Sequence, residues 1–264
     1  MKIDWGQVKK QTLWSYEDLI KKLQDVLAYG FVRKHYNHTM KQSRRYARKV
    51  RSGYLQNRGE TTAYIDQMAA HLEKLETLRV GTYSQLVDQV STRKCCLAFL
   101  QRTDFGFAPL IQTLHYLLRW VLPFKTPVRE LLDADRVAEL KYLEALKHHG
   151  VGSNLDLLEL GRTKADRLRL ARLTGIRMAF ITALVHKADI SRLAYVRGKT
   201  VKHLCGGGYD TLGKIAAANL PGMEKKMGVY YRTLGKNLSD YRLVIPLSWM
   251  IGGARILPRV VQEE

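Results

Sequence analysis

Apolar residues recur with the period of an α-helix through most of this chain, and that pattern constrains its fold more than any other feature. Positions 19, 20, 23 and 27 are leucine or isoleucine, and positions 65, 68, 69, 72 and 75 are again apolar. Each set lies on one face of a helix, because residues three and four apart are neighbours on the helix surface. The chain has only 6 prolines in 264 residues, so few helices are interrupted. The sequence therefore predicts an all-α protein.

Helix boundaries follow from capping residues, glycines and prolines. We predict helices over residues 14–27, 39–55, 62–78, 84–99, 109–122 and 128–148. Ser15 is expected to cap the first helix, and Gly81 to supply the left-handed residue that ends the third. Glycine density rises over residues 149–153. We therefore predict an N-terminal helical bundle over residues 1–149 and a C-terminal domain over residues 150–264.

Several classes of protein are not expected from this sequence. Cys95, Cys96 and Cys205 have neither the number for a disulfide framework nor the spacing of a zinc site. The N-terminus lacks the apolar segment of a signal peptide, and no stretch approaches the ~20 apolar residues that span a bilayer. We expect a cytoplasmic protein that does not bind membranes. An association with the nucleoid or with ribonucleoprotein fits the same expectation.

No catalytic motif emerges from the chain. On a helix, Asp135 and Glu139 could share a face and hold Mg²⁺, but Arg136 and Lys141 adjoin them, and ion pairing is the commoner role of such acids. The triple glycine at 206–208 does not follow a predicted strand, which argues against a nucleotide-binding loop. We therefore predict that the protein is not an enzyme and has no metal, no cofactor and no small-molecule substrate.

The charge of the chain indicates a polyanionic partner. Lys and Arg total 44 against 24 Asp and Glu, a formal net charge of +20. The surplus lies in two blocks, with 14 basic against 5 acidic residues over 1–60 and 12 against 5 over 151–220. A surplus of this size favours nucleic acid, DNA or RNA, and makes an anionic membrane surface the weaker alternative.

The first basic block contains a long run without acids. Residues 26–59 include no Asp or Glu, and Lys41, Arg44, Arg48 and Arg51 fall on one continuous helix face. Like charges at this spacing repel one another unless an anion such as a phosphate backbone neutralises them. The alternative is a basic face that is merely solvated. The candidate nucleic-acid-binding residues of this block are Arg33, Lys34, Lys41, Arg44, Arg45, Arg48, Lys49 and Arg51.

Three tyrosines are interleaved with these cations. Tyr36, Tyr46 and Tyr54 are candidates for stacking on the bases of a single strand. The alternative is that they anchor the basic helix in the core.

The C-terminal half contains spaced segments that resemble a known family. They are LLELGRTKADRLRLARLTGI at 157–176, HKADISRL at 186–193, GYDTLGKIAAAN at 208–219 and ILPRVV at 256–261. In this order they resemble the family known as domain of unknown function 4332, over about residues 150–261. The resemblance implies a compact helical domain related to nucleic-acid-binding helix-hairpin-helix modules, here in tandem. It does not extend to residues 1–149.

Modules of this kind usually have two hairpin glycines flanking one apolar residue, which lets backbone N–H groups approach a phosphate. Here Tyr195 and Arg197 flank Val196, so a backbone phosphate site is in doubt, although side chains could still contact phosphate. Asp210 is expected to cap the helix after this hairpin. The candidate residues of the two hairpins are Arg162, Lys164, Arg167, Arg197, Lys199, Thr200 and Lys202.

Together these observations predict a non-catalytic nucleic-acid-binding protein that contacts mainly the phosphate backbone. A subunit of a larger nucleoprotein complex, with other protein subunits as partners, fits the same pattern. The alternative is a protein–protein adaptor whose degenerate hairpins and basic faces dock an acidic partner. Tyr195 and Arg197 favour the adaptor, and the acid-free run favours nucleic acid.

Overall fold

The computed structural model describes residues 3–54, 59–132, 137–236 and 245–262. Within these ranges the chain forms seventeen α-helices, one π-helical turn and two isolated β-bridges, so the predicted all-α class is confirmed. The described residues divide into two compact units, Met1–Leu122 and Pro123–Glu264.

The N-terminal unit contains eight α-helices and the π-helical turn among its described residues. In chain order they are α1 (Gly6–Thr12), α2 (Tyr16–Leu27), α3 (Gly30–Tyr36), α4 (Met40–Tyr54), α5 (Gly59–Thr77), α6 (Tyr83–Gln89), α7 (Arg93–Arg102), α8 (Phe107–Tyr116) and the π-helical turn Leu117–Val121.

The C-terminal unit contains nine helices among its described residues. They are α9 (Val128–Leu131), α10 (Val137–His148), α11 (Asn154–Gly161), α12 (Lys164–Thr174), α13 (Met178–Ile190), α14 (Gly198–Gly206), α15 (Leu212–Ala217), α16 (Leu220–Thr233) and α17 (Leu247–Ile256).

Hydroxyl side chains begin several helices. The Ser15 hydroxyl accepts from the Asp18 backbone N–H at 3.1 Å, as predicted. Thr92 caps α7 in the same way, which divides the single helix predicted over 84–99 into α6 and α7. A helical period continues across this break, and for that reason the pattern alone did not reveal it. The cap of α15 is Thr211 rather than Asp210.

The end of α5 differs from the prediction. The left-handed residue after the helix is Arg79, with φ +60°, and not Gly81. By contrast, Gly150 has φ +75° after α10, and Gly208 has φ +85° after α14. These two glycines occupy a backbone conformation that few other residues adopt without strain.

Each unit has a core built from the predicted apolar faces. Leu19, Ile20, Leu23 and Leu27 of α2 are buried, as are Ile65, Met68, Leu72 and Leu75 of α5. In the C-terminal unit the predicted hairpin residues Val196 and Val201 are fully buried. Burial of these side chains is the main favourable term in holding the helices together.

The first compact unit ends at Leu122, whereas the glycine density of the sequence rises over residues 149–153. Asn154 is fully buried and ties residues 124–126 to the C-terminal unit. Its amide donates to the Phe124 carbonyl at 3.0 Å, and its side-chain oxygen accepts from the Thr126 N–H at 2.8 Å. The segment that begins at residue 123 therefore packs with the C-terminal helices. A domain boundary between residues 149 and 150 stays a prediction.

Candidate nucleic-acid interface

Helix α4 carries the basic run of the N-terminal unit and begins with a reciprocal cap. The Thr39 hydroxyl accepts from the Gln42 N–H at 3.2 Å, and the Gln42 side chain accepts from the Thr39 N–H at 2.9 Å. Met40, Ala47 and Val50 are buried and pack this helix into the unit, chiefly against α5. Its opposite face is therefore held toward solvent.

The predicted basic stripe of α4 consists of two sets of side chains with different surroundings. Arg44 pairs with Glu73, and its Nε lies 3.7 Å from the Glu76 carboxylate. Arg51 lies 3.4 Å from the Asp66 carboxylate. All three acids belong to α5, so these two arginines form the seam between α4 and α5.

The remaining cations of α4 are exposed. At 100° per residue they surround the direction opposite the buried face, whereas Arg44 and Arg51 lie to one side. We call this set the outer row, and it consists of Lys41, Arg45, Arg48 and Lys49. The outer row and the predicted face share Lys41 and Arg48. The outer row contains Arg45 and Lys49, whereas the predicted face contained Arg44 and Arg51.

Two of the three tyrosines interleaved with these cations are buried. Tyr36 is 1% exposed and Tyr46 is 7% exposed, so both are core anchors. The prediction that they stack on bases is wrong for these two residues, because the helix faces that carry them are the buried faces. The side chain of Tyr54 lies outside the described part of the structure.

Helix α3 contributes two further predicted cations. Arg33 and Lys34 are both exposed. The Arg33 guanidinium donates to the Ala28 carbonyl at 3.1 Å, beside the end of α2, where a cation favours the helix dipole. Arg33 therefore has a structural contact in addition to its exposure.

The first hairpin segment, residues 161–164, connects α11 and α12. Thr163 caps α12 by accepting from the Asp166 N–H at 3.1 Å. Lys164 is exposed, whereas Arg162 is half-buried. Asp166 adds a carboxylate to the first turn of α12, 2.7 Å from the Thr163 hydroxyl. The local charge at this hairpin is therefore less positive than a count of its arginines indicates.

Arg167 is not available to a phosphate. Its side chain is completely buried, and its Nη1 donates to the carbonyls of Gly161, Arg162 and Gln262 at 3.3–3.4 Å. The prediction that Arg167 contacts nucleic acid is corrected on this ground. Its charge instead holds the first hairpin segment against the C-terminal residues of the described chain.

The second hairpin segment, residues 195–198, has a left-handed residue where such hairpins usually have glycine. Tyr195 has φ +62°, a conformation that costs a non-glycine residue about 1–2 kcal/mol. The Arg197 guanidinium lies 3.9 Å from the centre of the Phe124 ring and donates to the Val196 carbonyl at 2.8 Å. The backbone turn is thus formed without glycine, and Arg197 packs on an aromatic ring.

The start of α14 is covered by α9. A Cβ on Gly198 would lie 2.2 Å from the Glu130 carbonyl oxygen, closer than any real contact. The glycine is thus required by this approach of two backbones. Of the other predicted residues on α14, Lys199 is exposed, and Thr200 and Lys202 are half-buried.

Sequence reasoning missed two buried polar groups of the C-terminal unit. Asn154 also donates to the Ser191 hydroxyl at 2.8 Å, and Arg192 pairs with Asp189 inside the unit. Arg192 Nη1 donates to the Pro258 carbonyl at 3.0 Å. The capping pattern Ser153-x-x-Asp156 could have indicated the start of α11. No local pattern indicates the contact of Arg192 with Pro258, which is distant in sequence.

A groove of about 640 Å³ lies beside the first hairpin segment, with Lys164, His186 and Asp210 among its lining residues. Its walls are mainly apolar. Among the residues that the structure describes, no group of three or more His, Cys, Asp and Glu side chains could hold a metal ion. The same described residues include no helix long and apolar enough to cross a membrane.

Burial also affects the histidines of both units. It lowers the pKa of His38, His71 and His115 below the ordinary value, and that of His203, where Lys199 and Lys236 add to the effect. His38 in addition contacts the His35 carbonyl at 3.1 Å through its Nε2. These histidines therefore favour the neutral form near neutral pH.

Comparison with known proteins supports the resemblance in the C-terminal half. Searches of curated proteins and of solved structures each find no match to this chain. No family model matches the N-terminal part. One family model matches the C-terminal part. Its match begins at residue 138, before the expected residue 150, and ends at residue 239, so the ILPRVV segment lies outside it. The model of the family described as "Domain of unknown function (DUF4332)" matches residues 138–239, and this confirms the resemblance for the C-terminal part of the chain.

Proposed function

We propose that this protein binds nucleic acid through the phosphate backbone and catalyses no reaction. The observation that carries the proposal is the outer row of α4. Four cations lie exposed on one helix whose opposite side is buried, in a chain of net charge +20. Phosphate neutralisation by such a row releases counterions, which supplies affinity without base readout.

Two cations of the row give the sharpest test. Lys41→Glu with Arg45→Glu reverses two exposed charges that lie outside the seam with α5. We expect the affinity for a labelled duplex to fall about tenfold or more, and the slope of log K against log salt to decrease by about 1.8, since each lost phosphate contact removes about 0.9.

The matched control is Lys9→Glu with Lys10→Glu on α1, which changes the net charge equally at two exposed lysines. We expect a much smaller change there. Equal losses in the two double variants would mean that net charge, and not the outer row, determines binding. Absence of binding by the native protein at low salt, to DNA or RNA of any strand type, would overturn the proposal.

The second hairpin segment favours a second candidate function, a protein–protein adaptor. The start of α14 is covered by Glu130, and Arg197 packs on Phe124, so this hairpin has less backbone available to a phosphate. In that case the positive charge would meet an acidic protein. Lys199→Glu with Lys202→Glu would then leave nucleic-acid affinity unchanged, whereas a phosphate-binding hairpin would lose affinity.

We also propose a cellular location and protein partners. A subunit of a nucleoprotein complex in the cytoplasm or at the nucleoid would bring other protein subunits as partners. We include the tandem helix-hairpin-helix arrangement in the same proposal. The first hairpin segment joins α11 to α12, and the second lies at the end of the connection from α13 to α14. Measuring the molecular mass of the purified protein with and without a duplex would distinguish a protein that binds nucleic acid by itself from a subunit that requires other proteins.

A further inference from the structure

The cations of α4 fall into two groups on different sides of the helix. The outer row faces solvent, and Arg44 and Arg51 lie in the seam, where the acids of α5 meet them. Lys49 lies eight positions after Lys41, so the row is about 12 Å long at a rise of 1.5 Å per residue. Because the reciprocal cap and the buried face hold α4 in place, the spacing of these four charges is set by the helix.

Two of the three tyrosines that were candidates for stacking on single-stranded bases, Tyr36 and Tyr46, lie in the core. Single-strand binding sites combine cations with aromatic side chains on which the bases stack. Here Tyr36 and Tyr46 are 1% and 7% exposed, and the exposed residues of α4 from position 41 to 49 are lysines, arginines and Gln42, none of them aromatic. The face therefore offers charge to a phosphate backbone and does not offer these rings to bases.

The acids of α5 limit where a backbone can lie. The Glu73 side chain is 64% exposed and that of Asp66 is 50% exposed, so both carboxylates reach solvent beside the seam. They repel a phosphate that approaches from the α5 side. Arg45 and Lys49 lie on the other side of α4 from these acids, so the exposed charge on that side is not opposed by Glu73 or Asp66.

Charge density then favours a duplex. Over about 12 Å a duplex presents about seven phosphate charges, whereas one strand with the same rise presents about three or four. We propose that the outer row binds the backbone of a double-stranded nucleic acid, which lies on the side of α4 away from α5. This inference rests on the proposed function and assigns its substrate class.

The first arm of the test compares strand types. Fluorescence anisotropy is measured with 20-nucleotide single strands and the matching duplexes, both DNA and RNA, at one salt concentration. We expect each duplex to bind about tenfold tighter than its single strand, and the two duplexes to show whether DNA or RNA is preferred. Equal or tighter binding of single strands would overturn the inference and leave the proposed function intact. If no probe binds, the proposed function itself fails.

The second arm tests the position of the backbone. Glu73→Gln removes a carboxylate on the α5 side of α4. A backbone within about 10 Å of this carboxylate would gain about twofold in affinity, whereas a backbone on the opposite side of α4 is expected to gain no more than the control. Glu144→Gln is the matched control, because Glu144 is an exposed acid that pairs with Lys147 and loses the same charge. A rise of about twofold or more above that of Glu144→Gln would place the backbone on the α5 side and overturn the proposed position.

Discussion

Arg167 has no exposed side-chain surface, and its guanidinium donates to three backbone carbonyls. Two of these carbonyls, those of Gly161 and Arg162, lie at the first hairpin segment, and the third is that of Gln262. The Gln262 N–H in turn donates to the Arg162 carbonyl at 3.0 Å. A single arginine thus joins a turn to a segment 95 residues away in the chain.

Loss of this side chain is expected to destabilise the fold rather than to weaken binding. Arg167→Ala would remove a donor from three carbonyls and open a cavity, at a cost of about 3 kcal/mol. The control is Arg169→Ala on the same helix, whose exposed side chain lies 3.5 Å from Asp166 and contributes about 0–1 kcal/mol. Urea unfolding measures both. A variant Arg167→Ala that kept full stability but lost nucleic-acid affinity would contradict this structural role.

At the scale of the element, the close approach of α9 to α14 decides what the second hairpin segment can do. The approach is possible only because residue 198 has no Cβ. This glycine, Gly198, lies one position after Arg197, where phosphate-binding hairpins usually have a glycine. Its role is therefore to pack two helices.

This contact predicts a large effect from one methyl group. Gly198→Ala places a Cβ 2.2 Å from the Glu130 carbonyl oxygen, so the backbone of α9 must move, and we expect a loss of about 2 kcal/mol or more. Gly152→Ala is the control, since its nearest neighbour would be the Asp156 carboxylate at 3.9 Å, an ordinary contact. Thermal unfolding of the two variants compares them. Equal melting temperatures would show that α9 does not press on α14.

On the scale of the whole molecule, the surplus positive charge and the buried histidines both make stability depend on solution conditions. The pKa values of His38, His71, His115 and His203 are lowered in the folded state, mainly by burial. The unfolded chain therefore binds more protons than the folded chain as the pH falls through the ordinary histidine pKa of about 6.5. Stability linked to these groups is fully present above that pH and decreases as pH falls toward their folded pKa values.

The free energy of unfolding is accordingly expected to fall between about pH 7.5 and pH 5. Two carboxylates act at lower pH, because the pKa of Glu17 is lowered by its hydrogen bond with Arg93 and that of Asp104 by its hydrogen bond with Lys74. Their effects begin near about pH 4.5 and below. Urea unfolding at several pH values and constant ionic strength measures the change. A free energy that stayed constant over this range would contradict the burial of these histidines.

Local features of the fold were predictable where the signal is contained in a few neighbouring residues. The Ser15 cap of α2 and the apolar faces of α2 and α5 are of this kind. The division between α6 and α7 and the left-handed Arg79 were not predicted. The helical period continues across the break between α6 and α7, and Gly81 lies near Arg79. In each case only packing selects the residue at which the helix ends.

The amino-acid sequence alone was sufficient for the all-α class, the basic character of α4 and the family resemblance of the C-terminal part, because these depend on periodicity, composition and short motifs. Tertiary structure decided the surroundings of the individual cations and tyrosines. Arg44 and Arg51 meet acids of α5, Arg167 is buried, and Tyr36 and Tyr46 turn into the core. The physical reason is that a helix period shows which residues share a face, whereas the partner of that face depends on how distant parts of the chain pack together.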